Sequence, residues 1–197
     1  AEADQVVVCA PAFVTAEILA GLDAELATQL ARVEYTPIAV VGLGYRSCPV
    51  PLEGFGLLTT SAARVPILGV TWDSSIFPDR APPGGCALRV MIGGQRAPEL
   101  VALGERELIE TARAGLRSTM QLDREPDVKF VQRWPRGIPA YSPGHLAVVD
   151  RIFTRVARIP GLHLNCNAYR GVGIPFCIRS GEQAAERVVE QLSPARG

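Results

Sequence analysis

The chain has 197 residues, and its 20 lysines and arginines balance 20 aspartates and glutamates, so the formal net charge is zero. Hydrophobic residues make up 48% of the chain and there are 19 glycines and 16 prolines, a composition typical of a folded globular protein. The balanced charge argues against a nucleic-acid-binding protein, and no apolar stretch approaches the ~20 residues of a membrane-spanning helix.

The first third of the chain predicts a strand followed by helices. Gln5 to Cys9 is a short apolar run closed by a proline, which indicates a buried, parallel strand. Helical spacing follows from Phe13 to Leu22. Asp23 is placed to cap a second helix that runs to about Val33, because its carboxylate can accept backbone N–H groups.

The middle of the chain predicts a sheet and one long helix. Runs rich in β-branched residues at 38–43, 67–72 and 88–92 are separated by turns rich in proline and glycine. From Pro98 to Met120 the apolar residues recur with a period near 3.6, which predicts an amphipathic helix.

The last third alternates between strands and helices. A strand at 128–134 precedes an irregular turn at 135–139, and a helix then runs to about Ile159. A strand at 161–165 leads to the glycines of residues 171 and 173 and to a final helix from about Cys177 to Leu192. Glycines before a helix let backbone N–H groups approach an anionic ligand, although this turn alone equally fits simple packing.

The residue pattern carries few other chemical signals. A G-x-S-x-G nucleophile motif, a G-x-x-x-x-G-K-[ST] loop and a G-x-G-x-x-G turn after the first strand are all absent, so no catalytic residue is predicted. His145 and His163 stand near no paired cysteine, and no metal site is predicted. Five cysteines without a C-x-x-C pair favour a reduced, cytoplasmic setting.

The segment around Phe55 and Leu58 presents apolar side chains between glycines. It suits contact with a flat ligand, but it equally fits a hairpin whose two side chains fill the core.

Taken together, six segments resemble the carboxy-terminal half of the protoporphyrinogen oxidase family, within the FAD-dependent amine-oxidase-like superfamily. Their order and spacing both fit the family. They are VVVCAPA at 6–12, EGFGLL at 53–58, LGVTWDSSIFP at 68–78, RVMIGG at 89–94, RWPRGIPAYSPGHL at 133–146 and NAYRGVGIPFCIRSG at 167–181.

The resemblance implies an α+β fold in which a multi-stranded mixed sheet with packed helices forms the substrate domain. It assigns residues 13–159 to that domain, and residues 1–12 and 160–197 to the terminal strand and helix of a Rossmann-like FAD domain. It implies contact between the flavin and five residues, namely Trp134, Gly171, Val172, Gly173 and Ile174. It also implies that Phe55 and Leu58 hold the porphyrinogen.

Two features depart from the family pattern. Cys166 stands where relatives commonly carry glycine, and Pro175-Phe176 replaces a more usual polar pair. Arg46, Arg89 and Arg96 are candidates for pairing with the substrate's propionates, and their spacing selects none of them.

The resemblance also implies a missing amino-terminal half, so we expect this chain alone to be inactive. Three readings stay open: a protoporphyrinogen oxidase, a coproporphyrinogen III oxidase that forms coproporphyrin, and a non-catalytic tetrapyrrole-binding module. A homodimer, and peripheral attachment to the cytoplasmic membrane through the upstream region, also stay open.

Overall fold

The structure is a computed structural model that describes residues 2–192. The protein contains helices and a multi-stranded sheet, which confirms the predicted α+β class. The helices are α1 (Ala12–Leu19), α2 (Ala24–Ala31), α3 (Asp73–Ile76), α4 (Glu105–Met120), α5 (His145–Val156) and α6 (Ile174–Leu192). The strands are β1 (Val6–Val8), β2 (Tyr35–Tyr45), β3 (Gly56–Leu58), β4 (Gly69–Trp72), β5 (Cys86–Gly93), β6 (Val128–Pro139) and β7 (Leu162–Leu164).

The chain divides into two compact units. We name them by their places along the chain. The inner unit is the continuous segment Thr36–Ile138, and the outer unit combines Ala1–Tyr35 with Pro139–Gly197. These boundaries differ from those predicted after residues 12 and 159. The difference arises because α1, α2 and α5 share one apolar core with β7 in the outer unit.

A five-stranded sheet with the order β3-β4-β5-β2-β6 forms the centre of the inner unit. β2 pairs antiparallel with β5, and β5 with β4, so alternate side chains point to opposite faces. One face carries the buried side chains of Val41, Leu88 and Val90, and Leu108 and Leu116 of α4 belong to the same core. The apolar alternation of these strands therefore sets both the register and the packing.

The outer unit is built on two parallel strands, β1 and β7. Its core includes Leu26, Leu30 and Ile152, which are fully buried. Asp23 caps α2 as predicted, since its Oδ1 atom accepts the N–H of Leu26 at 2.9 Å.

Four local predictions are wrong in detail. Val6 and Val7 are exposed rather than buried, because β1 is an edge strand of a sheet that has two strands among residues 2–192. Residues 135–139 continue β6, since an edge strand tolerates proline where the missing N–H has no ladder partner. The predicted helix at 98–120 is a 3-10 turn over 98–102 followed by α4, and α6 begins three residues before the predicted Cys177.

Candidate functional site

The glycine turn between β7 and α6 occupies residues 167–173 of the outer unit. Gly171 has φ +155°, and a Cβ atom there would lie 2.5 Å from the Cβ of Phe176. This close approach requires glycine at the position. The sequence therefore specifies the turn through one contact with the first residues of the helix.

The start of α6 offers backbone donors. The N–H of Phe176 and that of Cys177 both donate to the carbonyl of Gly173, at 3.0 and 3.1 Å. Within residues 2–192, the N–H groups of Val172, Gly173 and Ile174 meet no hydrogen-bond acceptor. Because α6 has 19 residues, these donors lie at the positive end of a full helix dipole.

Apolar side chains surround these donors. Val172 is 51% exposed and Ile174 is 76% exposed, so neither contributes to the core of the outer unit. Exposed apolar groups beside free N–H donors are a surface that fits the edge of a flat, partly anionic ring.

Two aromatic residues, Tyr141 in the loop before α5 and His145 at the start of α5, form hydrogen bonds with this turn. The Tyr141 hydroxyl donates to the carbonyl of Asn167 at 2.8 Å and accepts the N–H of Gly171 at 2.8 Å. The His145 ring stacks on Tyr141, with ring centroids 4.1 Å apart and 14° between the planes. His145 Nε2 lies 3.2 Å from the carbonyl of Tyr169, and because a carbonyl only accepts, Nε2 is the donor.

Burial raises the pKa of two groups in this part of the outer unit. It raises the pKa of the Tyr141 hydroxyl, so Tyr141 remains a donor at neutral pH. It also raises the pKa of the Cys166 thiol in the same unit. A protonated thiol is a poor nucleophile.

The predicted substrate residues lie in the inner unit, at the β3 edge of its sheet. Phe55 is 76% exposed and Leu58 is 83% exposed, whereas Leu57 packs against the core. The hairpin alternative, in which Phe55 and Leu58 fill the core, is therefore wrong. Both side chains are available for contact with a ligand.

Trp134 lies on β6, at the opposite edge of the same sheet, and is 52% exposed. Four strand spacings of about 4.8 Å separate β3 from β6, which places the edges roughly 19 Å apart. The structure therefore does not bring Trp134 together with Phe55 and Leu58. Gly171, Val172, Gly173 and Ile174 lie together in the outer unit.

A cavity of about 360 Å³ lies against the second face of the inner sheet. Glycines 42 and 44 form part of its floor, and Phe130 leans over Gly42 so closely that any Cβ there would clash with the ring. Gly42 therefore makes room for the Phe130 ring, which forms an apolar wall of the cavity.

The structure separates the three candidate arginines. Arg89 pairs with Asp73 at 2.6 Å, and Arg96 donates to the side chain and the carbonyl of Thr59. Arg46 lines the cavity, and its backbone N–H donates to Asp127 at 2.8 Å. Arg46 is thus the candidate whose guanidinium has no side-chain partner among residues 2–192.

The cysteines and histidines form no metal site in the described part of the chain, where no three metal-ligating side chains cluster. Burial raises the pKa of the Cys86 thiol to about 12, with Cys48 close by. All five cysteines are free. Over residues 2–192, no helix has the length and apolarity needed to cross a membrane.

Sequence reasoning missed Tyr141 and His145 as residues of the site. Tyr141 lies in the loop before α5 and only His145 belongs to the helix, so no helical spacing links the two rings in the sequence. Their partners, moreover, are backbone groups of residues 167–171, which no side-chain pattern reveals.

Comparison with known proteins places the chain among flavoproteins. The family model described as flavin containing amine oxidoreductase matches residues 1–189. Human protoporphyrinogen oxidase is 34% identical over 195 residues, covering 95% of this chain and 41% of the human protein. Coproporphyrinogen III oxidase of Bacillus subtilis is 29% identical, covering 97% of this chain and 41% of that protein.

Solved structures share the fold. A crystal structure from Exiguobacterium sp. 255-15, provisionally assigned as a protoporphyrinogen oxidase, has a TM-score of 0.77 and 25% identity, covering 95% of this chain and 42% of that one. Cyclohexylamine oxidase from Brevibacterium oxydans has a TM-score of 0.66 at 16% identity, covering 95% of this chain and 43% of that one. The chain spans about two fifths of the length of the curated relatives it matches. The match over residues 1–189 shows that the chain belongs to the flavin containing amine oxidoreductase family.

Proposed function

We propose that this chain is the carboxy-terminal part of an FAD-dependent protoporphyrinogen oxidase, which oxidises protoporphyrinogen IX to protoporphyrin IX with oxygen in haem biosynthesis. The observation that carries the proposal is the similarity to human and rice protoporphyrinogen oxidases over 95% and 98% of the chain. The chain's share of about two fifths of those proteins supports a role for it as one part of the enzyme.

The outer unit fits the flavin end of FAD. Val172, Gly173 and Ile174 present three N–H groups without acceptors in the described chain, beside exposed apolar side chains. FAD, when bound, supplies the two-electron redox chemistry. The N–H groups at the positive end of α6 would stabilise negative charge at the ring edge, and Gly171 would provide the close turn rather than a donor.

The inner unit fits the flat substrate. Phe55 and Leu58 expose apolar side chains on one edge strand, and Trp134 exposes its ring on the other. Such side chains orient a macrocycle and exclude water from it. We therefore assign substrate contact to Phe55 and Leu58 and flavin contact to Trp134. In this proposal residues 1–12 and 160–197 belong to the FAD domain, and residues 13–159 belong to the substrate domain. Within the latter range, α1, α2 and α5 pack in the outer unit.

The remaining partners follow from the same proposal. The missing amino-terminal half completes the FAD site, and without it this chain is inactive.

Coproporphyrinogen III oxidase is the second candidate, favoured by the similarity to the Bacillus subtilis enzyme over 97% of the chain. The two substrates differ in their number of carboxylates, so Arg46 at the cavity is relevant to both. The proposal also includes a cytoplasmic location, peripheral membrane contact through the upstream region, and a homodimer.

The test is an oxidation assay on the protein expressed together with the coding region that precedes this segment. Porphyrin fluorescence is followed in air, with and without FAD, from protoporphyrinogen IX and coproporphyrinogen III in parallel. We expect flavin-dependent fluorescence that rises faster with protoporphyrinogen IX. A faster rise with coproporphyrinogen III would favour the second candidate. Porphyrin binding without any flavin-dependent oxidation would favour a non-catalytic tetrapyrrole-binding module.

A further inference from the structure

The stacked pair of Tyr141 and His145, which we call the clamp, contacts three backbone groups of the glycine turn. Tyr141 binds the carbonyl of Asn167 and the N–H of Gly171, and His145 binds the carbonyl of Tyr169 between them. The contacts thus fall on every second residue over five residues. Hydrogen bonds to alternate residues restrict the rotation of the peptide planes in this loop.

The two rings are themselves fixed. His145 is 9% exposed and is the first residue of α5, and its backbone N–H donates to the carbonyl of Ser142 at 3.0 Å. Its ring lies nearly parallel to that of Tyr141. Stacking on the buried His145 ring therefore fixes the orientation of the Tyr141 ring and of its hydroxyl. Because His145 belongs to α5, the clamp is attached to a helix.

The position of the clamp decides which N–H groups of the turn are free. Because the Tyr141 hydroxyl takes the N–H of Gly171, the free donors begin at Val172 and continue through Ile174. Without that bond, the peptide between residues 170 and 171 would be free to turn. The direction of the next N–H groups would then no longer be set.

We propose that Tyr141 and His145 are positioning residues, which act through the backbone of residues 167–171 to orient the N–H donors of Val172, Gly173 and Ile174 toward the flavin. This inference rests on the proposed function. Neither side chain needs to touch the cofactor, since their contacts are with the backbone of the turn. The expected consequence is a change in flavin binding and in the flavin spectrum.

The test compares Tyr141→Phe with wild type in the protein expressed with its preceding coding region. The phenyl ring keeps the stacking on His145 and loses both hydroxyl bonds. We expect amide hydrogen exchange over residues 167–173 to accelerate and FAD to bind roughly tenfold more weakly, as befits the loss of two hydrogen bonds at a partly buried site. The visible absorption bands of the bound flavin should shift. His145→Phe, which removes the bond to Tyr169, should act in the same direction.

Tyr35→Phe is the matched control, since the Tyr35 hydroxyl also accepts a backbone N–H in the outer unit, that of Ala12 at 2.9 Å. It should leave the exchange of residues 167–173 and FAD affinity unchanged. Wild-type exchange and affinity in Tyr141→Phe would overturn the inference, as would accelerated exchange with unchanged affinity and spectrum. Wild-type protein that binds no FAD would overturn the proposed function and the flavin role of the clamp together. The exchange data, which need no flavin, would then show separately whether the clamp holds the turn.

Discussion

The sheets of the two units bury their apolar residues to very different degrees. In the inner unit, β2 and β5 pair over eight residues and their apolar face is covered, with Val90 and Leu116 fully buried. In the outer unit, the sheet has two three-residue strands, and Val6 and Val7 are exposed. α6 has 19 residues but a single buried one, Ala184.

The difference teaches where each unit obtains its stability. A two-stranded sheet is marginal in water, so the outer unit depends on the core that α1, α2 and α5 form. The exposed apolar residues of α6 add little to that core. They are instead a surface suited to a covering partner.

The largest expected effect is on a buried residue of the inner unit. Leu116→Ala removes a fully buried side chain of α4 and should lower the free energy of unfolding by about 3 kcal/mol. Ile178→Ala on α6 changes a side chain that is 57% exposed and should alter stability by less than about 0.5 kcal/mol. Urea denaturation of the 197-residue chain measures both.

The same pair of variants in the longer protein sharpens the comparison. If an upstream region covers α6, the cost of Ile178→Ala should rise above about 1 kcal/mol, while that of Leu116→Ala stays the same. Equal costs for the two variants in the 197-residue chain would contradict the contrast between the units.

The sequence predicted, in both units, the elements whose patterns are local. The strands at 38–43, 67–72 and 88–92 follow from β-branched runs between turns, and the cap at Asp23 follows from one residue type. Burial of β1 was predicted wrongly, because five apolar residues do not show which neighbours cover them.

The candidate functional site shows the same limit, namely that sequence patterns do not reveal tertiary contacts. Glycines before a helix indicated the turn at 171–173, and the structure confirms a helix directly after it. The clamp depends on Tyr141 meeting backbone atoms 26 and 30 residues away in the chain. Such contacts are tertiary, and a single sequence carries no periodicity that marks them.

An intermediate effect is expected at the β3 edge of the inner sheet, beside Phe55 and Leu58. A Cβ at Gly56 would lie 2.0 Å from the carbonyl oxygen of Val70, and φ at Gly56 is +145°. Gly56→Ala should therefore lower the free energy of unfolding by about 2 kcal/mol through strain and loss of strand pairing.

Gly84→Ala is the control for this variant, because Gly84 also has a positive φ, +78°, but a Cβ there meets no atom within 4 Å. It should cost about 1 kcal/mol, from the backbone alone. Thermal denaturation monitored by circular dichroism compares the two. Equal losses would mean that β3 shifts freely and that the inner unit is less rigid at this edge than its central strands.

The smallest expected effect is electrostatic and lies in the outer unit. Asp23 pairs with Arg155 at 2.7 Å, and this bond, with that from the Leu26 N–H, lowers the pKa of Asp23 below its ordinary 3.8. A carboxyl whose folded pKa is lowered stabilises the fold above its unfolded pKa and loses that contribution as the pH falls through the folded value. Asp23→Asn, which still caps the helix, should thus be less stable than wild type at pH 7.

That difference should shrink as the pH falls below about 3.8, because Asp23 is then protonated in the unfolded chain and, as the pH falls through its lowered folded pKa, in the native protein as well. Urea midpoints at pH 7, 5 and 3 measure the trend. Asp150→Asn is the control, since Asp150 pairs with Arg170 at 2.8 Å with both side chains at least 60% exposed, and such pairs contribute little. Equal stability of Asp23→Asn and wild type at all three pH values would assign the role of Asp23 to helix capping alone, because asparagine keeps the cap. The link between α2 and α5 would then rest on their apolar contacts, which makes the outer core still more dependent on burial.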